Sequence, residues 1–225
     1  MPPTSRRNNR LAPALISLLG LLGSLVWAHH GDIPEKLAQS IRKEFGARAE
    51  IRLYQWQELI HANLDAGEGE KLELVNDFFN GARFIDDRHL WGQRDYWATP
   101  TEFLARDAGD CEDFSVAKYF TLKAMGVDIS KMRLTYVKSL TLDQAHMVLA
   151  YYPTPSSVPL VLDNVNKRIK PATERPDLVP VYSFNADNLW LSRSRNEQVR
   201  AGNPSNLGQW RKLLQRMHKN NPESP

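Results

Sequence analysis

The spacing of apolar residues divides the chain into a helical first half and a strand-rich second half. In the first half, apolar residues recur every three or four positions, as they do on one face of an α-helix. This spacing predicts helices over 33–45, 53–64, 71–80 and 101–106. In the second half, β-branched and aromatic runs divided by turn-forming residues predict strands over 133–140, 146–152, 159–165 and 181–185. Helices followed by hairpin-linked strands predict an α+β fold with an antiparallel sheet.

A helix at the junction of the two halves has clear signals at both ends. It is predicted over 111–125, where Asp110 is a suitable N-cap and Asp113 stands three residues further on. Gly126 suits its C-terminal end, because glycine readily adopts the backbone conformation that closes a helix. A last helix is predicted over 207–219, ahead of a polar tail that we expect to be disordered.

The N-terminal segment has the composition of a secretory signal peptide. Three arginines precede an apolar run from Leu11 to Trp27, and no acidic residue occurs before Asp32. Val26 and Ala28 occupy positions where signal peptidase requires small residues, so we predict cleavage after Ala28. An uncleaved membrane anchor is the alternative, because the apolar run is about as long as the shortest spanning helix, roughly 17–20 residues.

These features predict three segments and a periplasmic location. Residues 1–28 are predicted to be the signal peptide, 29–203 one domain, and 204–225 a C-terminal helix with a polar tail. Cleavage would remove three positive charges and no negative ones, so the formal net charge of +3 would fall to zero. A neutral mature chain gives no electrostatic reason to expect a nucleic acid partner. Contact with a membrane is expected only through the signal segment.

Cys111 is the only cysteine of the chain. Exported proteins normally use cysteines in disulfide pairs, so a single one is either an incidental buried residue or a thiol kept free for chemistry. Its place in the first turn of a predicted helix favours a thiolate, which would lower the thiol pKa. Asp110 and Glu112 act in the opposite direction by like-charge repulsion. A compensating cation is therefore expected, either a protonated histidine or a metal ion.

His146 and Asp163 are candidates for a general base and the carboxylate that orients it. If 146–152 and 159–165 pair through the turn at 153–157, the numbers of opposite residues sum to roughly 309–310 and His146 faces Asp163. A carboxylate beside an imidazole fixes its tautomer, and the imidazole can then accept the proton of a nearby thiol. A lone histidine on an apolar strand is more often a structural residue. The upstream cysteine helix and the downstream aspartate favour the catalytic interpretation.

Three carboxylates, from Asp110, Glu112 and Asp113, lie next to the cysteine in the sequence. Such a group can bind a hard cation through oxygen ligands, and calcium is the first candidate. An acidic helix start also complements the helix dipole without any metal. The twelve-residue ligand spacing of an EF-hand is absent from the sequence.

The aromatic and polar stretch 88–100 is predicted to be irregular and to lie near the site. The backbone N–H of Cys111 is one candidate donor to an oxyanion, and Trp91, Gln93 and Trp97 are candidates for the second. Alternatively, the two tryptophans are core or rim aromatics, or one of them anchors a regulator at the surface.

Several strings, in this order and spacing, resemble the bacterial transglutaminase-like cysteine proteinases. They are VNDFFN, LWGQRDYWATPTEFL, AGDCEDFSVAKYFTLKAMGV, LTYVK, DQAHMVLAYY, PLVLDN and PVYSFNADNLWL, and the resemblance covers roughly residues 33–192. The resemblance implies a papain/transglutaminase-like fold whose nucleophile helix packs on an antiparallel sheet. It also implies a cysteine endopeptidase that forms a thioester, with Cys111 as nucleophile, His146 as base and Asp163 as orienting carboxylate.

The same resemblance carries expectations about cofactor and partners. It implies that calcium is required and is bound by Asp110 and Glu112, with Asp113 as a plausible further ligand. Family substrates are large surface adhesins cut near their N-termini, commonly after two alanines, which releases the adhesin and promotes biofilm dispersal. The usual regulator is an inner-membrane cyclic di-GMP receptor that sequesters the protease. Residues 193–225 have no counterpart in this resemblance.

Two other functions share part of the pattern. A transglutaminase or other acyl transferase would use the same triad and thioester, and would differ only in whether an amine or water resolves the thioester. A calcium-responsive periplasmic binding module would leave Cys111 chemically inert. Such a module would be expected to lack one of the triad residues, whereas all three are present in this sequence.

Overall fold

The computed structural model describes residues 33–194 and 197–220. The predicted signal peptide, its cleavage site after Ala28 and the end of the polar tail lie outside the described residues. Within the described ranges, no helix has both the length and the apolar character needed to cross a membrane.

Helices dominate the first half of the chain, as the apolar spacing predicts. The α-helices of the described residues are α1 (Glu35–Phe45), α2 (Ala47–Ala62), α3 (Glu68–Asn80), α4 (Asp87–Leu90), α5 (Pro100–Arg106), α6 (Cys111–Ala124) and α7 (Gly208–Asn220). The predicted helices are confirmed, although α2 begins six residues before the predicted start at 53. Gly46 separates α1 from α2 with a φ of 87°, which glycine adopts without steric cost. The stretch 88–100 is irregular only after α4.

The second half of the chain forms an antiparallel sheet. Its strands are β3 (Met132–Ser139), β4 (Gln144–Tyr151), β5 (Leu160–Leu162), β6 (Lys170–Pro171), β7 (Leu178–Phe184), β8 (Leu189–Ser194) and β9 (Glu197–Gly202), following β1 (Arg83–Phe84) and β2 (Ala108–Gly109) in the chain. The seven later strands are arranged in the order β6-β5-β4-β3-β7-β8-β9, with every neighbouring pair antiparallel. Strands β1 and β2 form a separate parallel pair. Strands β8 and β9 were not predicted.

Helix α6 lies at the centre of the fold. It contacts β3 and β4 of the sheet and helices α3 and α5, and most of its residues are buried. This arrangement confirms the predicted α+β class, with the cysteine-bearing helix packed on the antiparallel sheet. Helix α7 belongs to the same core, because Trp210 and Leu213 are 1% and 0% exposed within it. Within the segment 204–225, helix α7 therefore packs into the same core as the rest of the described residues.

Gly109 allows the start of α6 to approach α5 closely. A Cβ atom at this position would lie 2.6 Å from the Cβ of Asp113 and 2.7 Å from Cδ2 of Phe103. Real carbon atoms do not tolerate such distances, so only glycine fits here without a rearrangement. The position of Cys111, two residues later, depends on this close contact.

Candidate active site

Cys111 lies at the first turn of α6 and lines an open cleft of about 900 Å³. Strands β3, β4 and β7 contribute Tyr136, His146 and Tyr182 to the same cleft. Of the three predicted triad residues, Cys111 and His146 therefore share one cleft. Asp163 does not line it and is 2% exposed.

Asp163 lies within hydrogen-bonding distance of His146. The distance between Nε2 of His146 and Oδ1 of Asp163 is 2.8 Å, and the two side chains are 3% and 0% exposed. A carboxylate at Nε2 favours the tautomer with the proton on that nitrogen. The other ring nitrogen, Nδ1, is then the one free to accept a proton from a second group.

The predicted register of β4 and β5 is wrong, although His146 and Asp163 do meet. Leu149 lies opposite Leu162, which is displaced from the register expected from the length of the turn. Strand β5 ends at Leu162, so Asp163 is the first residue after it. There its Oδ1 also accepts the backbone N–H of Val165 at 3.0 Å. The carboxylate reaches His146 from the end of the strand and not from a paired position.

The second carboxylate oxygen of Asp163 is bound by Arg175. Nη2 of Arg175 donates to Oδ2 of Asp163 at 2.8 Å, and the guanidinium also contacts Asp177, at 3.0 Å from Nε and 2.8 Å from Nη2. Burial alone would raise the pKa of Asp163. The hydrogen bond and charge of His146, the N–H of Val165 and the Arg175 guanidinium together hold that pKa well below its ordinary value. Asp163 is therefore an ionised carboxylate with both oxygens engaged.

The backbone of Asp163 is held by a buried polar network. Lys118, which is 1% exposed, places its Nζ 2.9 Å from Oδ1 of both Asn76 and Asn80 and 3.2 Å from the carbonyl oxygen of Asp163. Asn80 donates to the same carbonyl at 2.9 Å. Burial lowers the pKa of Lys118 to about 7. The network connects the position of the aspartate to α3 and α6.

A serine of α6 joins the cysteine helix to the histidine strand. The Ser115 hydroxyl lies 2.9 Å from the carbonyl oxygen of Cys111 and 3.1 Å from that of Met147, the residue after His146. Ser115 is 3% exposed, so solvent does not compete for these contacts. The start of α6 and the start of β4 are therefore fixed relative to each other at the cleft.

The predicted acidic ligands gather with two aspartates that were not predicted. One possible ligand oxygen each of Asp87, Asp110 and Asp113 lies within 4.8 Å of the others, and the same holds for Asp87, Asp95 and Glu112. We call these five residues the acidic cluster. The structure thus brings together the three predicted ligands and adds Asp87 from α4, which is 3% exposed.

Burial, and then electrostatic repulsion within the acidic cluster, raises the pKa values of its buried members. Burial raises the pKa of Asp87 to about 6, and the charges of Glu112 and Asp95 contribute to the shift. The pKa of Asp110 is raised by burial and then by Glu112 and Asp113. Burial also raises the pKa of Asp113. These carboxylates are destabilised as anions unless a cation joins them.

The donor set of the acidic cluster fits a hard divalent cation. Among the described residues, the buried Oδ1 atoms of Asp87 and Asp110 find no hydrogen-bond partner. Carboxylate oxygens are the ligands that calcium prefers. Asp113 is less available, because its Oδ1 accepts the N–H of Ala98 at 2.6 Å and its Oδ2 the N–H of Asp110 at 3.3 Å.

Glu112 contacts the cysteine directly. Sγ of Cys111 donates to Oε2 of Glu112 at 3.0 Å. Burial raises the pKa of the Cys111 thiol well above its ordinary value, and the charge and hydrogen bond of Glu112 and the charge of Asp110 add to this, despite a hydrogen bond from the Met147 N–H. The direction of this shift is opposite to the effect expected from the helix N-terminus alone, and it agrees with the effect expected from the flanking carboxylates when no cation compensates them.

The three candidates for a second oxyanion donor occupy different environments. Trp97 lines the cleft, but its Nε1 donates to Oδ1 of Asp95 at 3.0 Å and its ring stacks on Phe184. Trp91 packs against Tyr96 with ring centres 4.7 Å apart and is absent from the lining of the cleft, as is the exposed Gln93. The core or rim interpretation suits both tryptophans better.

Two residues that contact the site carry no local signal in the sequence. Asp87 stands in the string FIDDRHLW, where Asp86 caps α4 by accepting the N–H of His89. That capping pattern predicts a short helix, but not that its first residue joins the acidic cluster. Arg175 follows the 3₁₀ turn Ala172–Glu174 in a loop. Both residues depend on tertiary contacts between segments far apart in the chain.

A comparison with protein families identifies one match. The sequence model of the bacterial transglutaminase-like cysteine proteinases matches residues 50–197. No curated protein matches the chain.

Three solved structures of one bacterial protein are similar to this chain. Legionella pneumophila LapG is 43% identical, covers 81% of this chain and 96% of its own, and gives a TM-score of 0.71. The EGTA-treated form of that protein is 44% identical with a TM-score of 0.72, at the same coverage. Its calcium-bound form is 43% identical, covers 80% of this chain and 98% of its own, and gives a TM-score of 0.68.

Proposed function

Because the chain belongs to the bacterial transglutaminase-like cysteine proteinase family, we propose that it is a calcium-dependent periplasmic cysteine endopeptidase. Cys111 is the nucleophile, His146 the general base and Asp163 the orienting carboxylate. The observation that carries the proposal is the 2.8 Å contact between His146 and Asp163 behind a cleft that Cys111 and His146 share. A buried, charge-balanced imidazole–carboxylate pair beside a single thiol is the arrangement that nucleophilic catalysis requires.

The chemistry of the proposal is acyl transfer to sulfur followed by hydrolysis. Nδ1 of His146 accepts the proton of the Cys111 thiol, and the sulfur attacks the carbonyl carbon of the scissile peptide bond. The C–N bond then breaks, and the imidazolium gives its proton to the leaving amine, which leaves a thioester. A water molecule loses a proton to His146 as it attacks the thioester. The C–S bond then breaks to release the carboxylic acid, and the imidazolium returns its proton to the sulfur.

Asp163 and Arg175 have supporting roles in this scheme. The carboxylate stabilises the imidazolium that forms in both halves of the reaction. Arg175 holds the second carboxylate oxygen, so Asp163 cannot rotate away from His146. The backbone N–H of Cys111 is the proposed first donor to the oxyanion.

Calcium is proposed to bind Asp110 and Glu112, together with Asp87, and Asp113 mainly fixes the loop that ends at Ala98. Calcium bound there would supply positive charge that compensates the carboxylates around the thiol, including that of Glu112, which contacts Sγ. The residues of the chain carry out every proton transfer in the scheme. Support comes from the buried oxygens of Asp87 and Asp110 and from the similarity to a protein with a calcium-bound structure.

The proposed substrate is the N-terminal region of a large surface adhesin, and the proposed regulator is an inner-membrane cyclic di-GMP receptor. Cleavage would release the adhesin and promote biofilm dispersal. Support comes from the family resemblance carried by GDCED, AHMVL and LVLDN, and from an open cleft with room for an extended polypeptide.

The test uses the mature protein, residues 29–225, and an adhesin N-terminal fragment that carries a di-alanine segment. Cleavage is expected with calcium, and no cleavage with chelator or in the Cys111→Ala variant. Intact fragments after incubation with folded, calcium-loaded protein would contradict the proposal. Incorporation of a labelled amine into a glutamine-bearing protein, without peptide cleavage, would then indicate an acyl transferase. Slow alkylation of Cys111 under all conditions would indicate a binding module.

A further inference from the structure

Helix α7 lies beyond the segment that matches the family model, yet it packs into the core of the fold. Trp210 is 1% exposed and stacks on Phe120 with ring centres 5.6 Å apart, and it meets Phe184 edge-on at 5.2 Å. The start of the helix, at Gly208 and Gln209, also lines the cleft that contains Cys111. The helix therefore occupies a fixed place beside the site.

Two polar residues of α7 hold the segment of residues 95–98, which we call the 95–98 loop. Nε2 of Gln209 donates to the carbonyl oxygen of Asp95 at 2.8 Å and to its Oδ2 at 2.9 Å. Nη2 of Arg216 donates to the carbonyl oxygen of Trp97. The Arg216 guanidinium also lies 4.4 Å from the ring centre of Tyr96, and its Nε is 3.4 Å from Oε1 of Glu102.

The same loop holds two members of the acidic cluster. The backbone N–H of Tyr96 donates to Oδ2 of Asp87 at 2.5 Å. The backbone N–H of Ala98 donates to Oδ1 of Asp113 at 2.6 Å. The loop thus connects α7 to the carboxylates, and any shift of its backbone would change the direction in which Asp87 and Asp113 point.

We infer that Gln209 and Arg216 are positioning residues that set the calcium affinity of the acidic cluster by fixing the 95–98 loop. The inference rests on the calcium site of the proposed function and adds a specific role for α7. Groups that orient metal ligands through hydrogen bonds commonly change metal affinity by about 10–100-fold when they are removed. Arg216 acts one step further away, through the loop backbone, whereas Gln209 also donates directly to the carboxylate of Asp95, a member of the acidic cluster.

The direction of the change in calcium affinity distinguishes this inference from a purely electrostatic effect of Arg216. A cation near the acidic cluster repels calcium, so removal of its charge alone should strengthen calcium binding. Loss of the contacts between Arg216 and the loop should instead weaken it. The two accounts therefore predict changes of opposite sign for Arg216→Gln.

The test is titration calorimetry of the mature protein with calcium chloride, which measures affinity without reference to activity. Arg216→Gln is expected to weaken calcium binding by about tenfold. Gln209→Ala, which changes no charge, is expected to weaken it by a smaller factor. Lys212→Gln is the matched control, because Lys212 is exposed on the same helix and the substitution removes the same charge. Its affinity should stay close to that of the wild type.

Unchanged or tighter binding by Arg216→Gln, with the variant folded in chelator, would overturn the inference while leaving the calcium site in place. If Arg216→Gln does not fold, the calcium affinity of Gln209→Ala tests the inference in its place. Wild-type affinity in that variant would equally overturn the inference. A wild-type protein that binds no calcium would remove the calcium assignment and the inference with it. Faster hydrogen exchange at the amides of Tyr96 and Ala98 in the weakened variants would support the role of the loop.

Discussion

Two groups of carboxylates lie near Cys111, and they differ in charge balance. On the sheet side, Asp163 has one oxygen on His146 and the other on Arg175, so its charge is compensated within the chain. On the helix side, the charged groups that raise the pKa of Asp110 are further carboxylates, those of Glu112, Asp113 and Asp87. One carboxylate has its pKa lowered and the other has it raised.

The difference shows which part of the site is complete after folding and which part depends on an added cation. The imidazole–carboxylate pair is fixed by buried hydrogen bonds and needs nothing else to keep its geometry. The acidic cluster contains repulsion that opposes both its own ionisation and that of the thiol. We therefore expect dependence on calcium to arise in the acidic cluster and not in the triad.

The largest effect should come from a change at Asp163, on the sheet side, where the charge is compensated within the chain. Asp163→Asn removes the carboxylate that stabilises the imidazolium, and we expect kcat/KM for the adhesin fragment to fall by about 10³–10⁴-fold. It also leaves the guanidinium of Arg175 buried with less compensation, which should cost about 3–5 kcal/mol in the free energy of unfolding. Urea unfolding measures the second effect. Asp65→Asn, in an exposed turn, is the control, and near-wild-type activity in Asp163→Asn would contradict the role of the triad.

A steric change at Gly109 should disturb the acidic cluster and the position of Cys111. Gly109→Ala places a Cβ 2.6 Å from the Cβ of Asp113, so the start of α6 must shift. We expect a loss of about 1–3 kcal/mol in the free energy of unfolding, together with weaker calcium binding. Thermal unfolding and calcium titration measure the two effects. Gly67→Ala, where a Cβ meets nothing within 4 Å, is the matched control.

A conservative change in the acidic cluster should increase stability in chelator but weaken calcium binding. Asp87→Asn keeps an acceptor for the Tyr96 N–H but removes one charge from the acidic cluster. We expect it to raise the thermal midpoint in chelator, because repulsion falls, and to weaken calcium binding by about tenfold, because a ligand charge is lost. A lower midpoint in chelator would mean that the cluster does not contain the repulsion described here.

The smallest effect should be in the pH dependence of stability in chelator. The pKa of Asp87 is raised from 3.8 to about 6, so the folded state retains a proton that the unfolded state releases, and stability should fall as pH rises from about 4 to 6. The pKa of Asp163 is lowered, so its contribution is present above pH ~4 and is lost as pH falls through its folded value. Relative to the wild type, the thermal midpoint of Asp87→Asn should rise as pH increases from about 4 to 6, whereas the deficit of Asp163→Asn should shrink as pH falls below about 4.

The sequence predicted those parts of the fold that have a strong local pattern. The buried helix α6 and the strands β3 and β4 carry clear local signals in their apolar, β-branched and capping residues, and their predicted limits were close to those observed. Strand β8 and the edge strand β9 were missed because they bury little. Their cross-strand pair Leu191 and Val199 is 52% and 37% exposed, so no alternation of buried and exposed residues marks them.

The sequence predicted those site residues that lie next to Cys111 or within the pattern of the predicted strands. Asp110 and Glu112 flank Cys111 in the sequence, and His146 and Asp163 stand at the ends of strands. Asp87, Arg175 and the contacts of Gln209 and Arg216 with the 95–98 loop could not be predicted in this way. They come from loops or distant segments whose approach is determined by packing, for which the sequence carries no periodic signal.

The most direct measurement of the central claim is the rate at which iodoacetamide alkylates Cys111 at neutral pH, with calcium and with chelator. Because Cys111 is the only cysteine, the modification reports on this thiol alone. Circular dichroism on the same samples checks that the fold persists. The account predicts much faster alkylation with calcium, by about tenfold for each unit by which the thiol pKa falls. Equal rates in calcium and chelator, from folded protein in both, would contradict it.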